Sequence, residues 1–137
     1  MRLAIVGSRA YRNKERIQKI VDKYVNQYTA GIITIISGGA QGADALAKEI
    51  ALEKGIRYEE YPPIHSRHNE HCTYPPDHYN KPYHVRNFFE RNTHIAETCD
   101  HLIAFIVKDV KAKGTMDTVG KAYRFGKQVF VYEDDNG

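Results

Sequence analysis

Glycine, serine and arginine recur in short turns just after apolar runs, a placement suited to holding an anion. Gly7-Ser8-Arg9 follows Leu3-Ala4-Ile5-Val6, and Ser37-Gly38-Gly39-Ala40-Gln41-Gly42-Ala43-Asp44 follows Ile32-Ile33-Thr34-Ile35-Ile36. Lys113-Gly114-Thr115 comes a few residues after Leu102-Ile103-Ala104-Phe105-Ile106-Val107. Glycine lets backbone amides approach a ligand closely, and the helix N-terminus behind such a turn favours negative charge, usually phosphate. The middle turn has the spacing G-G-x-x-G, which is not the dinucleotide pattern G-x-G-x-x-G, and the chain contains no Walker A sequence. Motor-type ATP hydrolysis is therefore not expected. Asp44 opens a helix, where it reads either as a dipole partner or as a carboxylate holding ribose hydroxyls.

Side chains extend the same reading. Arg9 and Arg91 are natural phosphate partners, because a guanidinium can bind two oxygens at once. Asn92 stands ready to recognise a base or sugar. Arg86-Asn87 is a competing pair five residues earlier, on a different helix face. His65, His68, His71 and Cys72 have imidazole and thiolate groups that zinc accepts, but not the paired knuckles of structural zinc sites. They are expected to belong to a loop covering the ligand, with no metal and no cofactor. Cys99 falls on an apolar helical stripe and reads as core.

The elements that must position these residues alternate along the chain. Strands are expected at 3–6, 32–36, 57–61, 102–107 and 128–132, and a frayed acidic tail at Glu133 to Gly137. Helical stripes run from about residue 12 to 28, over Ala43, Leu46, Ala47, Ile50 and Ala51, over Val85, Phe88, Phe89, Asn92 and Ala96, and over Met116, Val119, Gly120 and Tyr123. Short β-branched strands between helices imply right-handed crossovers and a buried parallel sheet. The predicted fold is α/β: one Rossmann-like, doubly wound domain over 1–137, with five parallel strands in the order 3-2-1-4-5 and helices on both faces. Ligands of such sheets bind at the carboxyl ends of strands beside the switch point. All three glycine turns converge there. Residues 62–84 break the rhythm with all five prolines and five of the seven histidines, and a loop this long is expected to act as a lid.

Composition narrows the classes. At 137 residues the chain makes one domain, and no apolar run approaches the length of a membrane span. Two cysteines make no disulfide framework, and no signal-peptide pattern precedes the first strand, so a cytoplasmic location is expected. The net charge of +3 is spread along the chain without a basic stripe. Nucleic acid is accordingly not the expected partner, although Tyr74, Tyr79 and Tyr83 offer rings on which bases would stack.

GSR after the first strand and SGGAxGxD after the second resemble the SLOG superfamily, the Rossmann-type proteins related to DprA and to the LOG phosphoribohydrolases. Tyr61-Pro62-Pro63, Arg91-Asn92, Asp100 and Gly114-Thr115 continue the similarity, which is strongest to the small YspA-like group. The resemblance implies binding of a nucleotide or nucleotide derivative, in a sensor role and in a homo-oligomer. The implied ligand contacts are Gly7, Ser8, Arg9, Ser37, Gly38, Gly39, Gly42, Asp44, Arg91, Asn92, Gly114 and Thr115. The alternative it implies is an N-glycosidic hydrolase or a deoxyribosyltransferase-like enzyme. The LOG signature PGGxGTxxE, however, has lost its PGG here and carries Thr118 where the glutamate belongs. A hydroxyl cannot serve as a carboxylate base, so catalysis would fall to Asp44 or Asp117.

Overall fold

The computed structural model describes residues 1–135, Ala30 by its backbone alone. The strands are β1 (Arg2–Gly7), β2 (Thr34–Ser37), β3 (Arg57–Glu60), β4 (His101–Val107) and β5 (Gln128–Asp134). The helices are α1 (Lys14–Tyr28), α2 (Ala43–Lys54), α3 (Arg86–Thr98) and α4 (Lys113–Arg124), and 3-10 turns lie at Ala30–Ile32 and Pro76–His78. The sheet is parallel throughout, in the order β3-β2-β1-β4-β5. This is the doubly wound topology that the alternation predicts.

Side-chain alternation builds a core on each face of the sheet. Leu3 and Ile5 point to the side where Ile17 and Val21 of α1 and Ala47 and Ile50 of α2 pack. Ala4 and Val6 point to the other, against Ile95 and Ala96 of α3 and Ala122 of α4. In register, Ala4 lies beside Ile36 and Leu102. Each large apolar side chain fully buried this way contributes roughly 1.5–3 kcal/mol, so the sheet faces hold the fold and leave the loops free for function. Cys99 is fully buried in the second core, where burial pushes its thiol up to about 11.

Three expectations are corrected in detail. The second strand begins at Thr34 rather than Ile32, because Ile32 sits in a 3-10 turn and is 60% exposed. Residues 62–84 are a packed appendage to the edge of the sheet. The Glu60 amide donates to His71 O, the Thr73 amide to Glu60 O, and a single parallel bridge joins Glu60 to Cys72. The amides of Asn80 and Lys81 close the segment back onto Ser66 and Ile64.

The acidic tail is the third. Its last two residues, Asn136 and Gly137, lie outside the described residues, but Glu133 and Asp134 complete β5 instead of fraying. Asp134 accepts from Tyr11 Oη (3.0 Å), Asn13 Nδ2 (2.8 Å) and Arg16 Nη1, and so ties β5 to the start of α1. Burial pushes this carboxyl up, but the bonds from Asn13, Tyr11 and Arg16 outweigh it and hold it below the ordinary 3.8. An acid depressed by folding stabilises fully above its unfolded pKa and loses that contribution as pH falls through its folded one. Asp134→Asn is therefore expected to cost about 1–2 kcal/mol at neutral pH. Urea unfolding should show the two proteins converging towards about pH 2; a difference that persisted there would refute the clamp.

Candidate functional site

The carboxyl ends of β1 and β4 diverge around a cavity of about 520 Å³. Gly7, Ser8, Arg9 and Ala10 line it from the β1 turn, and Lys111, Ala112, Lys113, Gly114, Thr115 and Thr118 from the α4 side. Val85, Phe88, Phe89, Arg91, Asn92 and Ile95 of α3 and its approach form a third wall, and Asp44 and Ala40 reach in from the second turn. Gly7, Ser8, Arg9, Asp44, Arg91, Asn92, Gly114 and Thr115 are thus brought to one crevice. Ser37, Gly38, Gly39 and Gly42 do not line it.

The reason lies in how the SGGA turn is satisfied. Asp44 Oδ2 accepts from the amides of Gly38 (2.9 Å) and Ala40 (3.4 Å), taking two donors that an anionic ligand would need. Arg91 Nη1 donates to Gly38 O (2.6 Å) and Tyr61 O (3.3 Å), and its Nε to Asn92 Oδ1 (3.1 Å). A methyl group on Gly38 would lie 2.9 Å from the Arg91 guanidinium carbon, and one on Gly39 2.8 Å from the Glu60 carboxyl carbon. Burial raises the Asp44 carboxyl, opposed by Arg91 and by the amides of Gly38, Ala40 and Gly7. Arg91 is itself pulled down by burial, with Asp44 opposing and Arg9 reinforcing the shift. The loop therefore carries its own anion and its own cation.

The unused donors are at α4. Its N-cap is Ala112, with no side-chain cap and no acidic residue in the first turn. Lysines at 111 and 113 stand beside this positive helix end, the wrong sign for the macrodipole. Arg9 faces them across the crevice, and among the described residues none of the three cations has an ion-pair partner. Beside this uncompensated positive charge lie exposed apolar groups: Val85 is 52%, Phe89 38% and Val110 44% exposed. Sequence reasoning missed this wall, because it used Val85, Phe88 and Phe89 only to place a helix. The lysines flanking a helix start were the available signal for the rim.

The catalytic candidates are otherwise engaged. Asp117 does not line the crevice; it accepts from Asn92 Nδ2 (3.1 Å) and pairs with Lys121 Nζ (2.9 Å). Thr118 is buried and donates to Gly114 O. The histidines of the 62–84 segment disperse: His65 packs on Tyr83 and Phe88, His68 on Tyr79, and His71 on Tyr58. Cys72 Sγ accepts from the Asn69 amide. Among the described residues no three His, Cys, Asp or Glu side chains form a group able to hold a metal. No residue of 62–84 lines the crevice, so the segment does not cover it as a lid. Of the three tyrosines offered for stacking, Tyr79 is buried, Tyr74 is half-buried and Tyr83 is 68% exposed.

A doubly wound parallel sheet with a cationic, apolar-walled crevice at its switch point defines a Rossmann-like α/β domain. Residues 1–68 match the model of the family described as YspA, cpYpsA-related SLOG family (YAcAr). It is similar to the X-ray structure of DNA processing protein A (DprA) from Streptococcus pneumoniae: 23% identity, TM-score 0.72, over 95% of this chain and 49% of that one. It is also similar to DNA processing protein A from Helicobacter pylori, whose structure is described for its unique single-stranded DNA binding mode. There the identity is 20% and the TM-score 0.66, over 96% of this chain and 64% of that one. The chain thus spans between about half and two-thirds of the length of these proteins. No curated protein matches it. No helix among the described residues is long and apolar enough to cross a membrane.

These findings correct the functional expectation. Its structural neighbours are DNA processing proteins, one of them described by how it binds single-stranded DNA, which counters the expectation that nucleic acid is not the partner. Nothing in the comparisons supports a free nucleotide ligand, a sensor or a glycosidic enzyme. Of the three turns on which the nucleotide reading rested, the second has its Gly38 and Ala40 amides donating to Asp44.

Proposed function

We propose that this chain is a single-stranded nucleic-acid-binding module, with the crevice between β1 and α4 as its contact surface. One observation carries the reading: Arg9, Lys111 and Lys113, without ion pairs among the described residues, surround the uncapped start of α4 beside the exposed Val85–Phe89 wall. Cations that track phosphates beside apolar or aromatic surface that accepts bases are what sequence-tolerant strand binding requires. A free strand supplies the anion that the helix start and the lysines lack, and its bases cover the apolar wall. The name of the Helicobacter pylori neighbour supports the same direction. The two free cysteines fit a reducing compartment, and we place the protein in the cytoplasm.

The test is fluorescence anisotropy with a labelled oligo-dT of about 16 nucleotides. Wild-type protein should bind with a strong salt dependence. Lys111→Glu/Lys113→Glu should weaken binding by at least about tenfold and flatten the plot of log K against log salt by about 1.4, that is ~0.7 per lost phosphate contact. Salt-independent binding, or a double variant that binds as wild type, would refute the assignment.

A further inference from the structure

A second cavity, of about 260 Å³, lies on the far side of α3 from the crevice, and nothing above uses it. Its helical wall is Asn87, Glu90, Arg91 and His94, the i, i+3, i+4, i+7 positions of one helix face. Its opposite wall comes from the 62–84 segment: Pro62, Ile64, Tyr74 and His78. The rings of Tyr74 and His78 are parallel within 7°, with centroids 5.5 Å apart, and His94 stands edge-on to Tyr74. The Tyr74 hydroxyl is bonded to His94 Nδ1, so the wall is braced across the cavity. Arg91 lines both cavities. Between them, at the start of α3, His65, Tyr83 and Phe88 form a three-ring cluster with centroid separations of 4.9–5.9 Å.

Resting on the strand-binding reading above, the geometry points to this second cavity as a base-reading subsite for the same strand, with guanine as its preferred base. The volume falls below the roughly 300–1,000 Å³ of sites that take a whole drug-sized ligand and suits a single planar base. Parallel aromatic rings provide the face on which such a base lies. Glu90 is an exposed carboxylate without an ion pair among the described residues. A carboxylate repels phosphate, so its place in a strand-binding surface is explained by reading donors on a base. It only accepts hydrogen bonds, and does so with two oxygens. Guanine is the base that presents two adjacent donors, N1–H and the 2-amino group, and its O6 can accept from the His78 ring. Adenine and cytosine offer one amino donor beside a ring acceptor. Thymine flanks its single N–H with two carbonyl oxygens, which a carboxylate repels.

The experiment compares labelled oligo-dT of the same length with oligonucleotides carrying one central dG, dA or dC, on wild-type protein and Glu90→Gln. Wild-type protein is expected to bind the dG strand about tenfold more tightly than oligo-dT, the yield of one good bidentate pair. Glu90→Gln removes a negative charge and should tighten binding to every strand while bringing the dG preference within about twofold. Equal binding of all four strands, or a dG preference that survives Glu90→Gln, overturns the subsite and leaves the crevice assignment standing. Failure of every strand to bind at low salt overturns both.

Discussion

Gly42→Ala is expected to lose about 3–5 kcal/mol of stability and to melt roughly 10–20 °C below wild type, whether or not any ligand is present. Gly42 has φ +77°, and a methyl group there would overlap Ser8 O and lie 2.6 Å from Arg9 O. Both are backbone oxygens and cannot swing aside. Left-handed strain and forced overlap each cost about 1–3 kcal/mol, and here they fall together. The β1 turn and the start of α2 touch at this point: the Ala43 amide donates to Ser8 O (3.3 Å), and the Leu46 amide to Gly42 O (3.0 Å). Gly55→Ala is the control. It shares a positive φ of +66° but has nothing within 4 Å of the added carbon, so about 1–2 kcal/mol is expected there. Circular-dichroism melting of both variants decides the matter. Equal losses would mean that the contact with the β1 turn contributes nothing.

Arg91→Met is the second large effect, at about 3–5 kcal/mol. Methionine keeps the length of the apolar stem but removes the donors to Gly38 O, Tyr61 O and Asn92 Oδ1. It also strips the buried Asp44 of its neighbouring positive charge. The pH dependence separates these losses. Burial already raises Asp44 above its ordinary value, and without Arg91 the rise grows. A carboxyl whose folded pKa exceeds its unfolded one weakens the fold as pH climbs past the unfolded value. Arg91→Met should therefore recover part of its deficit between about pH 7 and pH 4. Asp44→Asn in the same background should recover part of it at neutral pH. Urea unfolding of the single and double variants would show it, and strict additivity would sink the charge-coupling account.

Much of the fold was legible because alternation of strands and helices restricts topology so strongly. The order β3-β2-β1-β4-β5 and the place of the crevice follow from right-handed crossovers and from where ligands meet such sheets. The use of the loop was harder to read. G-G-x-x-G spacing fits an external phosphate and an internal carboxylate equally well, and Asp44, six residues beyond Gly38, turns out to be the internal one. Helical periodicity likewise reports that Phe88 and Phe89 share a face, but not whether that face meets core or crevice. Residues 62–84 carry no period at all. Their bonds to Glu60 and their ring contacts with α3 are long-range, and only the folded chain brings those partners together.

Because Asp44 and Arg91 bond to the SGGA turn from within, the part of the crevice wall that Ala40 and Asp44 form is held by the protein itself. If the strand-binding proposal holds, an incoming strand meets no loop to order there. Encounter on that side would then be governed by diffusion and by the pull of Arg9, Lys111 and Lys113, at the fast, salt-sensitive end of the range for macromolecular association. Differences between one strand and another would be decided by how long each stays.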